Sequence, residues 1–180
     1  MSIYYPAPCS EAEIIYDCDP CNPDEEGRIR HVAFIKKGFA FVDESDRQEW
    51  IDGIDAGDIQ MIPNIRGEYD GGEDITAPGY GDVEERITGR KHTVKLFDNK
   101  VVQNCAFWNK MRTSKNWRLA FFTDTNVRIT DKIVSVKPKT QIKAETTSVV
   151  ENEITITFSQ LNDPCPKARP DDIYDCFFTA

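Results

Sequence analysis

The alternation of apolar and polar residues along the chain predicts mainly β structure. The clearest case is residues 83–97, where apolar and polar side chains alternate over fifteen residues without a break. Residues 153–158 repeat the pattern, with Ile154, Ile156 and Phe158 separated by threonines. Further strands are predicted as a pair within 31–42, at 59–65, 117–123, 126–129, 132–137 and 141–150, with a hairpin turn at 150–153.

Two short segments instead have the spacing of helices. Residues 45–57 begin with Ser45 and Gln48, which together predict a capping box, and Gly57 is expected to end the helix. The second helix is predicted over 104–114 with Asn104 as its cap. Each helix has an apolar face that is expected to point inward: Trp50, Ile51 and Ile54 in the first, and Phe107, Trp108 and Met111 in the second.

The long alternating strand is expected to extend past the body of the protein. Fifteen extended residues span about 50 Å, whereas a compact domain of this length is about 40 Å across. Residues 66–82 before it are rich in glycine and acidic residues, which favours a mobile loop. Residues 66–97 are therefore predicted to form a long loop and a projecting β-ribbon, which neighbouring copies would stabilise by continuing the sheet.

The chain divides into a central domain and two extended arms. Residues 31–160 are predicted to form a single β-rich domain, a β-barrel or β-sandwich, between an N-terminal arm at 1–30 and a C-terminal tail at 161–180. Both ends contain exposed apolar candidates that are expected to dock on a partner, namely Tyr4, Tyr5, Phe177 and Phe178. The first residues lack the pattern of a secretory signal, so use without secretion is expected.

Net charge argues against tight binding to nucleic acid. The chain carries 31 acidic and 22 basic residues, a formal net charge of −9, and an acidic surface repels phosphates. One local basic patch surrounds Trp108 and Trp117, and consists of Lys110, Arg112, Lys115 and Arg118. A solvated helix face or a contact with an acidic neighbour explains this patch better than nucleic acid does. No apolar run is long enough for a membrane span, so no membrane partner is expected.

Six cysteines raise the question of a metal site. Cys18 and Cys21 form a C-x-x-C unit with Cys9 upstream and His31 downstream, a weak candidate for zinc. The second half-site is missing, because Cys165 and Cys176 lie far from any such spacing. We therefore expect reduced cysteines, no metal and no cofactor.

Catalytic motifs are not found in the sequence. There are two histidines, His31 and His92, and neither lies in a nucleophile motif such as G-x-S-x-G. The P-loop, the H-E-x-x-H zinc motif and the dinucleotide-binding glycine motif are not present. A protein that is not an enzyme is therefore expected.

The order of elements resembles tail-tube and related ring-forming proteins of tailed bacteriophages. The resemblance covers roughly residues 31–160: a strand pair, the helix around Glu49-Trp50-Ile51, a glycine-rich loop, the long strand around 85–90, then a helix and paired strands. It implies a virion protein, made in the host cytoplasm, that forms a ring or tube in the tail or neck with copies of itself and other virion proteins. Ile87 and Gly89 are then interface candidates, and Glu68, Asp70, Glu84 and Glu85 would line a lumen that repels passing DNA.

Three alternatives remain open. The chain could decorate a capsid, or it could be a β-sandwich module that binds a glycan or a protein with Trp50, Trp108 or Trp117 as a stacking platform. An enzyme with a carboxylate pair or a zinc site is the third. The glycan-binding alternative predicts a solvent-exposed tryptophan, and the enzyme predicts bound metal or a cleft of clustered acids.

Overall fold

Two antiparallel sheets stack face to face in the computed structural model, which describes residues 25, 27–81, 84–142, 144, 149–170 and 173. The elements in chain order are β1 (His31–Lys36), α1 (Arg47–Asp55), β2 (Ile59–Ile62), β3 (Arg66–Pro78), β4 (Glu85–Asp98), α2 (Val101–Thr113), β5 (Trp117–Phe122), β6 (Asn126–Ile129), β7 (Ser135–Gln141), β8 (Glu151–Gln160) and β9 (Lys167–Ala168). One sheet has the strand order β2-β1-β5-β6-β9 and the other β3-β4-β8-β7. The predicted mainly-β fold with two short helices is confirmed. Of the two architectures expected, the sandwich is right and the closed barrel is wrong.

The main core lies between the two sheets. It is built from the inward positions of alternating strands, such as Phe34 and Leu119 of the five-stranded sheet and Val94, Leu96 and Ile156 of the four-stranded sheet. All five side chains are fully buried. The apolar residues of the predicted alternations in β4 and β8 therefore point into the core, because successive side chains of a strand point to opposite faces of the sheet.

The five-stranded sheet is buried on both faces. Its second face packs Ala33, Ile35 and Phe122 against Trp50 of α1, with Phe39 and Phe41 completing the cluster. The predicted strand at Phe39–Val42 is wrong, because β2 and β5 already occupy both edges of β1. The segment after β1 instead turns across the sheet and places its aromatic rings on Trp50.

Both helices are present, but each begins at a residue other than the predicted cap. The N-cap of α1 is Asp46, whose carboxylate accepts a hydrogen bond from the amide of Gln48, while Ser45 bonds to Asp43. Helix α2 begins at Val101, three residues before Asn104. Asn104 donates instead to the buried carboxylate of Asp98, which also accepts from the Trp108 indole at 2.7 Å.

The glycine- and acid-rich segment is a strand, which corrects the predicted loop at 66–82. Arg66–Pro78 pairs along its length with β4 in an antiparallel hairpin, with irregular register at two points. Gly72 makes the first irregularity possible, since its φ is +69° and an added Cβ would lie 1.7 Å from the carbonyl oxygen of Lys91. Backbone pairing, rather than apolar side chains, orders this segment.

The strands near the C-terminal end are shifted from their predicted positions. Ser135–Gln141 forms β7, which overlaps the strand predicted at 132–137. Half of the strand predicted at 141–150 lies outside the described residues, and the turn predicted at 150–153 is wrong because Glu151 already belongs to β8. Strand β8 starts at Glu151 and pairs with both β4 and β7. Pro138 is accommodated because β7 is an edge strand, where the missing amide donor costs no hydrogen bond of the sheet.

Parts of both predicted arms belong to the domain. Ile29 is buried and forms a bridge with Gly67, and the amide of Arg30 donates to the carbonyl of Phe122. At the other end, β9 pairs with β6 and the amide of Arg169 donates to the carbonyl of Thr125. Residues on both sides of the predicted limits of 31 and 160 are therefore joined to the five-stranded sheet or to β3.

Candidate functional site

The β3–β4 hairpin has two parts with different surroundings. Strand β8 pairs with β4 only from Asp98 to Arg90, where Arg90 lies opposite Gln160. Beyond that point residues 75–78 pair with 85–89 and, within the described chain, with no third strand. We call residues 75–81 and 84–89 the outer hairpin, and residues 66–74 and 90–98 the inner hairpin.

Apolar side chains of the outer hairpin are exposed to solvent. Ile87 is 55% exposed, Ile75 43% and Tyr80 76%. The guanidinium of Arg86 lies 4.9 Å from the centre of the Tyr80 ring. A two-stranded ribbon with apolar side chains in water is marginal by itself, so this region gains stability from any surface that covers it.

A second exposed apolar group lies at the opposite end of the four-stranded sheet. Ile142, Val149 and Val150 flank the connection between β7 and β8, at the end where β4 finishes at Asp98. The outer hairpin lies at the other end of these strands. The sheet therefore presents apolar side chains at both ends.

The predicted interface residues fall in different settings. Ile87 is exposed in the outer hairpin, whereas Gly89 is buried opposite Ile75, whose Cδ1 is 4.0 Å from where a Gly89 Cβ would lie. The other four candidates, Tyr4, Tyr5, Phe177 and Phe178, lie outside the described residues. Sequence reasoning missed Ile75 and Tyr80, because the segment that holds them was taken for a loop.

The four acidic lumen candidates do not form one cluster. Glu68 and Asp70 lie in the inner hairpin, where Glu68 is 3.6 Å from the ammonium of Lys95. Glu84 and Glu85 are exposed at the far end of the hairpin. Asp70 lies opposite Thr93, eight residues along β4 from Glu85, which corresponds to about 26 Å. Any lining role would have to be divided between two separate places.

Basic residues converge in a groove that spans β4, β8 and the start of β7 in the four-stranded sheet. The groove has a volume of about 650 Å³ and runs from the end of α2 across the start of β7 to the end of β8. Its four cations are Lys91, Arg112, Lys115 and Lys132, and no acidic residue in the described part of the chain lines it. We call it the basic groove.

The basic patch predicted from the sequence contributes only half of this groove. Arg112 and Lys115 line it, whereas Lys110 faces a different pocket and Arg118 donates to the carbonyl oxygen of Phe39. Lys91 and Lys132 were missed, because they come from strand and loop segments distant in sequence. Only the fold brings these four charges together.

A polar cluster around His92 joins the C-terminal segment to the sheet. His92 is fully buried in β4, and its two ring nitrogens lie 2.8 Å from the hydroxyl of Tyr69 and 3.2 Å from the carbonyl oxygen of Gln160. The hydroxyl of Tyr69 donates to Asp163 at 2.8 Å. The guanidinium of Arg90 donates to Asp163 at 3.0 Å and to Asp74 at 2.7 Å.

This cluster holds groups that catalysis often uses, but its geometry fits a structural role. Burial, followed by the hydrogen bond and charge of Asp163, raises the pKa of Tyr69 above its usual range. The phenol is therefore neutral and serves as a hydrogen-bond donor. The ring of His92 is stacked between those of Tyr69 and Phe158, so it has no face open to a substrate. The only sequence signal was a histidine at an inward position of the β4 alternation.

No metal-binding group of three or more histidine, cysteine or acidic side chains is found among the described residues. Cys105 and Cys165 are free and exposed. The weak zinc candidates, Cys9, Cys18 and Cys21, lie outside the described part of the chain.

Two tryptophans are buried as their helical spacing predicts. Trp50 and Trp108 are 0% and 2% exposed, which confirms that both face inward. Trp117 is partly buried beside an apolar pocket of about 430 Å³ under α2. The flat exposed ring that a glycan platform needs is therefore not supplied by any of the three tryptophans.

Comparison with protein-family models, curated proteins and solved structures finds no match to this chain. The resemblance to phage ring-forming proteins thus stays a prediction. No helix among the described residues has the length and apolar character needed to cross a lipid bilayer.

Proposed function

We propose that this protein is a non-catalytic structural subunit that assembles with copies of itself through the β3–β4 hairpin. The observation that carries the proposal is the outer hairpin, where two strands without a third expose Ile75, Tyr80 and Ile87. A neighbouring copy that covers this surface would bury apolar area and complete the sheet.

The edge of β3 supports the same proposal. β3 is thirteen residues long and lies at the sheet edge, and beyond the bridge of Gly67 to Ile29 its outer edge has no strand partner among the described residues. Long open edges invite pairing with another chain. Soluble proteins protect such edges with charge, and Glu68, Asp70, Glu73 and Asp74 occupy this one. Acidic side chains would therefore restrict pairing to a partner that neutralises them.

The specific form that we propose is a ring or tube in the tail or neck of a tailed phage particle, through which DNA passes. This form rests on the order of elements and the long hairpin, which resemble ring-forming tail proteins. Copies of the same chain and other virion proteins would be the partners. The divided acidic residues Glu68, Asp70, Glu84 and Glu85 would then repel DNA from two zones of the assembled surface.

The proposal is tested by the mass of the purified protein in solution, measured by light scattering over a concentration series. We expect the mass to rise with concentration towards closed rings or longer tubes. Replacing Ile87 with aspartate should weaken this association at least about tenfold, because the charge would have to be desolvated in the interface.

Val42→Asp is the matched control. Val42 is 97% exposed and lies in the loop before α1, far along the chain from the hairpin, so the same substitution should leave association unchanged. A stable monomer at every concentration, or equal loss in both variants, would contradict assembly through the hairpin.

A further inference from the structure

The basic groove carries positive charge for which the described part of the chain supplies no ion-pair partner. No ion pair with any described residue is made by Lys91, Arg112, Lys115 or Lys132. Lys91 lies opposite Glu73 across β3 and β4, but no salt bridge joins them. Four unpaired cations around one groove, in a chain of net charge −9, form a local surface of opposite sign to the whole.

Hydroxyl groups complete the lining of the groove. Ser114, Ser135, Thr157 and Ser159 lie between the four cations. Cations with neighbouring hydroxyl donors suit carboxylates, which can accept several hydrogen bonds at once. The groove is thus chemically complementary to a strand that presents acidic side chains.

The protein itself contains such a strand pair. Residues 70–86 hold six acidic residues and one basic residue. Of the acids that the structure describes there, Asp74 is paired with Arg90, whereas Glu73, Glu84 and Glu85 are exposed and form no ion pair with a described residue. Glu73, Glu84, Glu85 and the four cations of the basic groove therefore lack partners of opposite charge among the described residues of one copy.

We propose that the basic groove receives the outer hairpin of a second copy of this chain, with Glu84 and Glu85 facing the four cations. The outer hairpin consists of β3 and β4, and the groove runs from Lys91 of β4 across the end of β8 to the start of β7. Two different complementary surfaces on one chain produce a head-to-tail contact, which closes into a ring when the rotation between copies allows it. This inference rests on the proposed function and names the surface that the hairpin contacts.

Exchange of charges between the two surfaces tests the proposal. The groove variant carries Arg112→Glu and Lys115→Glu, and the hairpin variant carries Glu84→Lys and Glu85→Lys. Each alone should associate about tenfold or more weakly than the wild type, because like charges then face each other. An equimolar mixture should associate again, since every contact in an alternating assembly pairs opposite charges.

The matched control is Lys37→Glu with Lys139→Glu, which changes the net charge as much as the groove variant but at exposed lysines outside the groove. It should behave as the wild type does. Raising the ionic strength from about 0.01 M to about 1 M shortens the Debye length from about 30 Å to about 3 Å. This change should weaken the association of the wild type more than that of a variant with Glu84→Gln and Glu85→Gln, which lacks the two carboxylates.

The outcomes separate this inference from the proposed function. If Ile87→Asp disrupts assembly while the groove variant assembles normally, the hairpin docks elsewhere and the groove proposal is overturned. A wild-type protein that stays monomeric overturns both proposals. Binding of a short single-stranded DNA through Lys115, with no effect of the groove variant on mass, would assign the groove to nucleic acid and overturn the present assignment.

Discussion

The inner and outer hairpin are built from the same two strands, yet one is core and the other is surface. In the inner hairpin Val94 and Leu96 are fully buried between the two sheets. In the outer hairpin Ile87, on the same strand, is 55% exposed. The difference is made by β8, which pairs with β4 as far as Arg90 and then ends.

This comparison shows that alternation alone does not make a strand part of a core. Residues 83–97 alternate throughout, but an apolar side chain is buried only where a third strand and an opposing sheet are present. Where they are missing, the same pattern produces an exposed surface that suits a partner. Substitutions in the two halves of the hairpin measure how different they are.

The largest expected effect comes from truncating the same kind of side chain in each half. Leu96→Ala in the inner hairpin should lower the free energy of unfolding by about 2–5 kcal/mol, because it leaves a cavity in the main core. Ile87→Ala in the outer hairpin should change it by no more than about 0.5 kcal/mol. Urea denaturation of dilute protein, below the concentration of any association, measures both.

Similar losses in the two variants would mean that the outer hairpin is as well packed as the inner one. The two halves of the hairpin would then not differ in how their side chains are packed. The same measurement should be repeated at high protein concentration. There the Ile87→Ala substitution should lower the free energy of unfolding more than it does in dilute protein, because assembly would bury Ile87.

A smaller effect is expected at the irregularity within the inner hairpin. Gly72→Ala should cost about 1–3 kcal/mol, because its φ of +69° is strained for alanine and the new Cβ would meet the Lys91 carbonyl. Gly81→Ala in the hairpin turn provides the control, since its φ is +64° but open space surrounds it. The melting temperatures of the two variants are compared by thermal unfolding. An equal shift in both would show that the close approach of the Lys91 carbonyl at Gly72 does not contribute to the cost of the substitution.

The smallest effect concerns pH, at the residue that supports the start of β3. The Nδ1 atom of His31 accepts a hydrogen bond from the amide of Asn64 at 3.1 Å. Burial, with added repulsion from Arg169 and Arg30, lowers the pKa of His31 to about 4. As the pH falls from about 6.5 towards 4, the unfolded chain therefore gains a proton that the folded chain does not, and stability falls over that window.

His31→Asn should remove this contribution. The loss of unfolding free energy between pH 7 and pH 5 should become smaller by on the order of 1 kcal/mol, after allowance for solvent screening of the partly exposed ring. Denaturation at the two pH values measures it. An unchanged pH dependence in the variant would show that His31 titrates normally in the folded protein.

The sequence predicted those elements whose own side chains decide their structure. Strand β4, strand β8 and the inward faces of Trp50 and Trp108 follow directly from apolar spacing. Strand β3 could not be found this way, because its glycines and acids carry no apolar alternation and only pairing with β4 orders it. Phe39 and Phe41 misled for the opposite reason: they are apolar and alternate, but β1 has no free edge for them.

The candidate site was predictable only where it is local. Ile87 could be proposed because its strand is long, and Arg112 and Lys115 because they are close in sequence. Lys91 and Lys132, and the contact of Asp163 with Tyr69, depend on segments that meet through the sheet order. Such long-range neighbours leave no periodic signal in a single sequence.

The central position of β8 also sets when the chain can fold. β8 lies between β4 and β7, although it is separated from β4 by more than fifty residues along the chain. During synthesis, the β3–β4 hairpin therefore lacks its neighbouring strand until residue 160 has left the ribosome. Synthesis from the start of β4 at residue 85 to residue 160 takes about 4–15 s at about 5–20 residues per second. Nascent hairpins on neighbouring ribosomes of one messenger would meet in that interval, so slow synthesis favours premature pairing between copies over completion of each sheet.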